Sequence, residues 1–368
     1  MANKFYPGEN PLYSGKKFAF LVHPRTTSGV ARRFWITRFL PNSLIDVVMR
    51  NLRGRLGFTV CSKFNVVKLN KTVEGYIIAV ILSGKQMTTL SPDLVHRRIL
   101  EAVLFAQNKL GAEIIGLGAL TTSLTEGGKW VVRQPEIRSV ITHGDSYPVA
   151  VAVAGIEKIL NLCNFNQNKI KIAIVGAYGL ISREITKILA QKGHPLILIE
   201  KDEEKIRLIK NELSRYNLEN SILAASINLK DIYDADLVIT ATSYPGALLK
   251  PEHLKRGAII YDIAQPMNVS PELIKERPDI IKIDGAYVDI NGIDLGFNMG
   301  PPKETTYACL VETIMMALEE ESNHHVGEID SAFIEKTKQW AKKYGFTHAP
   351  FTCFGNPISI ENFLKNRK

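Results

Sequence analysis

Apolar positions along the chain fall into two alternating rhythms. Short, nearly continuous apolar runs recur at Phe18–Val22 (FAFLV), Gly75–Ser83 (GYIIAVILS), Glu113–Leu120 (EIIGLGAL), Lys171–Val175, His194–Ile199, Ser221–Ser226, Asp236–Thr242 (DLVITAT), Ala258–Ile263 (AIIYDI) and Ile280–Ile283. Runs of this kind, bounded by glycine and polar residues, read as strands buried on both faces. Between them lie stretches with helical spacing. Asp93–Leu110 turns Leu94, Ile99, Val103 and Ala106 inward, an Ala/Val-rich segment runs from Tyr147 to about Leu162, and Glu203 to about Tyr216 forms a third. Strands alternating with helices predict an α/β fold with a central, doubly wound parallel sheet of Rossmann type. We expect an N-terminal α/β substrate domain over 1–148, the dinucleotide-binding domain over 149–300, and a C-terminal helical segment over 301–368 that packs back on the first domain.

One βαβ unit organises the rest. After the strand Lys171–Val175 comes a turn containing Gly176, Tyr178, Gly179, Leu180 and Ser182. A helix with Ile181, Ile185, Ile188 and Leu189 on one face follows, and the next strand ends at Glu200. Gly176 permits a tight turn, and Gly179 lets backbone approach a pyrophosphate. Ser182 is small enough for close helix–strand packing, and the helix N-terminus offers N–H groups to phosphates. This context points to a nicotinamide dinucleotide. Glu200 suits an unmodified adenosine ribose, whereas Lys201 suits a 2′-phosphate, so both NADH and NADPH stay open. The end of Asp236–Thr242, with Thr242, Ser243 and the following Tyr244-Pro245-Gly246, is expected on the nicotinamide side.

Charge adds a partner question. The 368 residues carry a net charge of +9, and residues 1–60 hold ten Lys/Arg against two Asp/Glu. Such a face attracts an acidic protein, a phosphate-bearing substrate, a membrane surface or nucleic acid, or is simply solvated. A helix over Asn42–Leu56 would align Leu44, Ile45, Val48, Met49, Leu52 and Leu56, with Arg50, Arg53 and Arg55 elsewhere. It reads first as packing on its own domain, and otherwise as a peripheral membrane contact or a docking helix. Nucleic acid is the least expected partner. Four scattered cysteines argue for a reducing compartment and against a zinc site. The first residues lack a signal-peptide core, so the expected location is cytoplasmic.

Several residues carry candidate chemistry. Thr121 and Thr122 follow a strand end, where α/β proteins place ligand groups. His143 and Tyr147 are acid–base candidates, although a lone His before a helix is more often structural, and Asp145 or Ser146 can cap the helix that follows. Downstream of Pro301-Pro302, with Thr305 or Thr306 as cap, Tyr307, Leu310, Val311, Ile314, Met315 and Leu318 share one helical face. Cys309 lies about 190° from the centre of that stripe, at about 100° per residue. A cysteine off the apolar stripe and near a helix N-terminus is a candidate nucleophile, its thiol pKa expected to be lowered by the dipole.

The chain resembles the cyanobacterial long-chain acyl-(acyl carrier protein) reductases. The likeness runs from about Phe18 to Glu319 and rests on FAFLVH, Ile115–Thr122, Gly144-Asp145-Ser146-Tyr147, Val175–Gly179 and above all Tyr307-Ala308-Cys309-Leu310-Val311-Glu312-Thr313. The resemblance implies that Cys309 takes an acyl group as a thioester, and that hydride from NADPH then releases an aldehyde. The chain departs from the family pattern at Ser182, where a third glycine is usual, and at Glu200-Lys201, where a neutral residue and arginine are usual. The expected activity is thus reduction of an acyl thioester, on acyl carrier protein or coenzyme A, to an aldehyde with NADPH or NADH. Thr121, Thr122 or backbone N–H groups would hold the oxyanion. The alternatives are a shikimate- or amino-acid-type dehydrogenase with direct hydride transfer, and a non-catalytic dinucleotide-binding protein.

Overall fold

The computed structural model describes residues 15–24, 40–52, 54–163, 170–244 and 246–365. Arg53, Pro245 and most of the basic N-terminal segment fall outside these, as does the Arg55 side chain. Strands β1 (Phe18–Val22), β2 (Phe58–Lys68), β3 (Lys71–Val80), β4 (Ile114–Leu117) and β5 (Val140–Thr142) form the first sheet. Their order is β2-β3-β1-β4-β5, parallel except for the antiparallel edge strand β2. Side-chain alternation explains why Phe18 to Leu21 are buried on both faces, with Val22 only half-buried at the strand end. Phe18 and Phe20 join the large core on one face, while Ala19 and Leu21 pack on the other with Val95, Ile99 and Val103.

Helix α1 (Asn42–Asn51) is shorter than the apolar pattern suggested. Only Ile45 and Met49 are buried, against Ile81, while Leu44, Val48 and Leu56 are 46, 47 and 66% exposed. The helix ends at Asn51, so Leu56 leaves the stripe. Helix α2 (Pro92–Leu110) covers the outer face of the sheet, closed by Gly111 in the left-handed conformation. Strand β2 has no counterpart among the expected strands. A bulge at Val60–Ser62 breaks its alternation, and its hairpin turn, Leu69-Asn70, takes positive φ without glycine.

Helix α3 (Ser146–Leu162) crosses the expected 148/149 boundary and leads to the second sheet. There β6 (Ile172–Val175), β7 (Leu196–Ile199), β8 (Ile222–Ser226), β9 (Leu237–Thr240), β10 (Ile259–Asp262) and β11 (Ile281–Asp284) are all parallel. They run in the order β11-β10-β9-β6-β7-β8, the doubly wound arrangement whose ligand crevice opens where the order reverses, between β6 and β9. Helices α4 (Leu180–Gln191) and α5 (Glu203–Arg215) connect its strands.

The C-terminal part is not purely helical. Helix α6 (Ala308–Leu318) lies against β1, β3, β4 and α3, and α7 (Ser331–Tyr344) lies along α3. With them come small antiparallel pairings: β12 (Tyr287–Asp289) with β13 (Thr305–Tyr307) and β14 (Thr347–His348), and the hairpin β15 (Thr352–Cys353) with β16 (Asn356–Pro357). Asp284, buried beside Lys282, fastens that hairpin by accepting from the Thr352 hydroxyl at 2.7 Å and the Gly355 N–H at 2.8 Å. Among the described residues no helix is long and apolar enough to cross a membrane.

Candidate functional site

A cleft of about 890 Å³ lies between the carboxyl edges of the two sheets. One wall comes from strand ends of the first sheet, including Val22, Ile81, Gly118 and Asp145. The facing wall comes from Gly179, Leu180 and Ile181 of the glycine turn with Ala241, Thr242 and Ser243 after β9. Tyr307, Ala308 and Cys309, at the start of α6, complete it.

The glycine turn has the geometry its residues require. Gly176 takes φ +81°, and a Cβ there would stand 2.8 Å from the Thr242 methyl. Ser182 is buried, and its hydroxyl donates back to the Gly176 carbonyl, so the third fingerprint position ties the turn to the helix. The first N–H bonded back along α4 is that of Arg183, to Gly179 at 2.8 Å, which leaves the N–H groups of Leu180, Ile181 and Ser182 ahead of the helical ladder. Glu200 is buried at the end of β7 and accepts from the Tyr178 N–H at 2.8 Å and the Lys201 N–H at 3.1 Å. The Thr242 hydroxyl donates to Asn268 at 2.8 Å and accepts the Tyr244 N–H at 3.1 Å. Gly179, Leu180, Thr242 and Ser243 therefore front the cleft. Gly176, Tyr178, Ser182 and Glu200 brace the turn, and Lys201 stands on the surface. Close backbone approach, exposed helix N–H groups and an acidic strand end together fit a dinucleotide.

Across from this turn stands Cys309. Every other residue of α6 is buried, and Cys309 alone is accessible. The helix is pressed on β4 at Gly116, where any Cβ would overlap the Thr313 hydroxyl. At Gly144 (φ +74°) a Cβ would stand 3.0 Å from that of Cys309. Thr305 and Thr306 do not cap α6. They pair in β13, and Tyr307 occupies the N-cap position. The expected low thiol pKa is also reversed. Burial pushes the Cys309 thiol up, and the nearby Asp145 and Glu312 carboxyls push it further, against the pull of the Leu310 and Cys309 N–H groups on the sulfur. The dipole is outweighed first by burial and then by the two carboxyls nearby.

Those two carboxyls divide their work. Glu312, fully buried one turn along α6, accepts from the Thr142 hydroxyl at 2.7 Å and from the Tyr147 N–H at 2.7 Å, so it caps α3 from a neighbouring helix. Burial pushes its carboxyl up to about 7. Asp145, at the N-cap position of α3, makes no side-chain cap bond and lines the cleft instead. Burial and the Glu312 charge hold its carboxyl well above the ordinary range. The sequence offered Asp145 only as a cap. Its cleft-facing role depends on Glu312, 167 positions later in the chain, taking that function over.

The remaining candidates sit behind the wall. His143 is buried and does not line the cleft. Its Nδ1 accepts the Asp145 N–H at 2.8 Å, and burial holds its pKa down to about 3, so it stays neutral and shapes the loop. Thr121 is buried with its hydroxyl given to the Gly118 carbonyl at 2.8 Å. Thr122 reaches the cleft, but its hydroxyl is turned to the carbonyls of Leu117 (2.9 Å) and His143 (3.1 Å). Neither hydroxyl points a donor at a substrate. Tyr147 is buried, and burial raises its phenol pKa.

Comparison with known proteins bears on the dinucleotide half. Residues 157–286 match the family described as shikimate/quinate 5-dehydrogenase. The chain is similar to aminotransferase PigE of Serratia sp., 23% identical over 371 residues, which cover 96% of this chain and 42% of PigE. It is also similar to glutamyl-tRNA reductase of Cyanothece sp., 24% identical over 273 residues, which cover 72% of this chain and 57% of the reductase. The chain thus spans about half the length of the curated relatives it matches. Among solved structures, Entamoeba histolytica malic enzyme aligns with 94% of this chain and 66% of its own at 13% identity, with a TM-score of 0.44. L-tryptophan dehydrogenase from Nostoc punctiforme aligns with 89% of this chain and 79% of its own at 12% identity, with a TM-score of 0.39. With the fingerprint geometry, the family match makes this a nucleotide-binding oxidoreductase fold whose cofactor is NADPH or NADH.

Proposed function

We propose that the protein reduces an acyl thioester to an aldehyde with NADPH or NADH, through an acyl-enzyme on Cys309. The observation that carries this reading is that Cys309, the one accessible residue of an otherwise buried helix, opens into the same cleft as the dinucleotide turn. Its thiol is held protonated, so a base must act with it. Asp145, which lines the same cleft and is near enough for its charge to raise the thiol pKa, takes that proton in its ionised form as sulfur adds to the substrate carbonyl. The tetrahedral adduct collapses, the C–S bond to the carrier breaks, and Asp145 returns the proton to the departing carrier thiolate. A dinucleotide held at Gly179, Leu180, Thr242 and Ser243 would supply hydride to the acyl carbon, the C–S bond to Cys309 breaking as the aldehyde leaves. Asp145 then passes a solvent-derived proton to the Cys309 thiolate. The balance is one thioester, one NAD(P)H and one proton giving one aldehyde, one carrier thiol and one NAD(P)⁺. The backbone N–H groups of Cys309 and Leu310 stabilise the transient thiolate.

The walls support an acyl substrate. Among the described residues lining the cleft there is no lysine or arginine, and much of the surface is apolar. A small carboxylic acid, the substrate of the direct-dehydrogenase alternative, needs a cation to hold it. That alternative draws on the shikimate/quinate match, which covers only the dinucleotide half and stops before Cys309. One relative's name fits acyl reduction. The name glutamyl-tRNA reductase denotes reduction of a glutamyl group carried on tRNA. The carrier, acyl carrier protein or coenzyme A, would meet the basic N-terminal residues, and the exposed Leu44 and Val48 of α1 would serve a peripheral membrane contact in a cytoplasmic enzyme.

The test is to mix the protein with an acyl-CoA in the absence of dinucleotide and locate the added mass by peptide analysis. Acylation at Cys309, discharged as aldehyde when NADPH or NADH is added, is the expected result. Turnover that survives Cys309→Ala would overturn the covalent route in favour of direct hydride transfer.

A further inference from the structure

The cleft extends well past Cys309. Cys309 sits beside the carboxyl ends of β4 and β5, since a Cβ on Gly144 would meet both its Cβ and, at 3.4 Å, the Leu117 carbonyl. From there the lining steps outward across the sheet: Phe20 and Val22 on β1, Ala79 and Ile81 at the end of β3, then Thr59 and Cys61 on the edge strand β2. Cys61 lies at the bulge where the β2–β3 register shifts between Val60 and Ser62. A bulge re-aims a side chain, and here the Cys61 side chain reaches the cleft. Phe297 and Met299 face this floor from a loop anchored to β2, where the Ser62 hydroxyl donates to the Leu295 carbonyl. The result is an apolar trough beginning at the nucleophile and ending at the sheet edge.

Its length can be measured in strands. From β4 through β1 and β3 to β2 is three strand spacings, about 14 Å at roughly 4.8 Å each. An extended alkyl chain built of about 1.5 Å C–C bonds advances by about 1.3 Å per carbon. We propose that the acyl chain lies across the carboxyl edge of the first sheet from Cys309 to Cys61, fitting acyl groups of about ten to twelve carbons, with Cys61 setting the far end. This rests on the acyl-thioester reading and adds the substrate's length and the residue that sets it.

The experiment is a kcat/KM series on saturated acyl-CoA thioesters from butyryl to palmitoyl, with the native protein and Cys61→Phe. The native value should rise about two- to four-fold per methylene as apolar surface is buried, then level off near dodecanoyl. Cys61→Phe should lower kcat/KM for decanoyl and dodecanoyl several-fold more than for butyryl. A profile flat from butyryl, one rising undiminished to palmitoyl, or a variant that slows butyryl and dodecanoyl alike would overturn the proposal. A second measurement covers a Cys61→Phe protein that fails to fold, or an absence of turnover. In Cys309→Ser protein, alkylation of Cys61 by N-ethylmaleimide, read by peptide mass, should be slowed several-fold by dodecanoyl-CoA and not by butyryl-CoA. Equal protection by both, or by neither, would sink the trough even if Cys309 acylation and aldehyde release are observed. Conversely, chain-length-dependent protection without acylation of Cys309 would retain the trough and remove the covalent chemistry.

Discussion

Glu312→Gln is the most informative single change, because Glu312 joins the fold to the chemistry. Its carboxyl caps α3, and burial raises it from 4.5 to about 7. A carboxyl whose pKa is higher in the folded state binds its proton more tightly there. Its contribution to stability is complete below pH 4.5 and is lost as pH rises towards 7. The span between the two values is worth at most about 3 kcal/mol. Glutamine cannot ionise, so this pH dependence should vanish in the variant. Its amide oxygen can still accept the Tyr147 N–H, but its NH2 meets the Thr142 hydroxyl, which already accepts the Gly144 N–H at 3.0 Å, and so costs about 1–2 kcal/mol. The assay is urea unfolding at intervals from pH 5 to 8, taken as the difference between variant and native protein so that other titrating groups cancel. The variant should be less stable at pH 5 and should draw level with or pass the native protein by pH 8. The Cys309 thiol pKa, followed by alkylation rate against pH, should fall because a neighbouring negative charge is gone. Parallel stability curves together with an unmoved thiol would refute both the buried ionisation and its coupling to the nucleophile.

Asp145→Asn should slow acylation of Cys309 by a factor of about 100 or more, the usual weight of a positioned proton acceptor. Rapid-quench mass measurement checks this, and dinucleotide affinity should not change. Gly144→Ala places a side chain at φ +74° and against Cys309. It should lower stability by about 1–2 kcal/mol in thermal unfolding and slow acylation while the fluorescence-monitored Kd for dinucleotide stays put. Glu200→Ala removes the buried carboxylate that accepts the Tyr178 N–H at the strand end where an adenosine ribose would lie. The ratio of Kd values for NADH and NADPH, by titration, should move towards NADPH.

The dinucleotide half was legible in the sequence because local signals and fold agree there. The strand ending at Val175, the glycine turn and the acidic strand end are contiguous, and β6–α4–β7 takes up that pattern in the structure. Cys309 was legible by its departure from a stripe, although the physical reason differs. The helix is buried all round, and the cysteine marks its one opening rather than a solvent face. The proton chemistry around it was not legible. His143 attracts notice as a lone histidine, yet its ring only accepts a backbone N–H, while Asp145 acquires its position through a tertiary contact with Glu312. Strand β2 escaped notice because the bulge at Cys61 interrupts its alternation, and that same irregularity turns Cys61 into the cleft.

The helix that carries Cys309 also seals a sheet made long before it. Phe18, Phe20, Ile77 and Ile114 share a core with Ile314 and Met315, so that face of the first sheet has no native cover until α6 leaves the ribosome. At roughly 5–20 residues per second, the interval between the end of β5 and the arrival of α6 is about 8 to 30 s. Throughout that time the nascent chain presents an aromatic, β-branched surface of the kind that chaperones retain and aggregates recruit. Cys309 reaches its place in the cleft only when this helix closes over the first sheet, so assembly of the site waits on the sealing of that core.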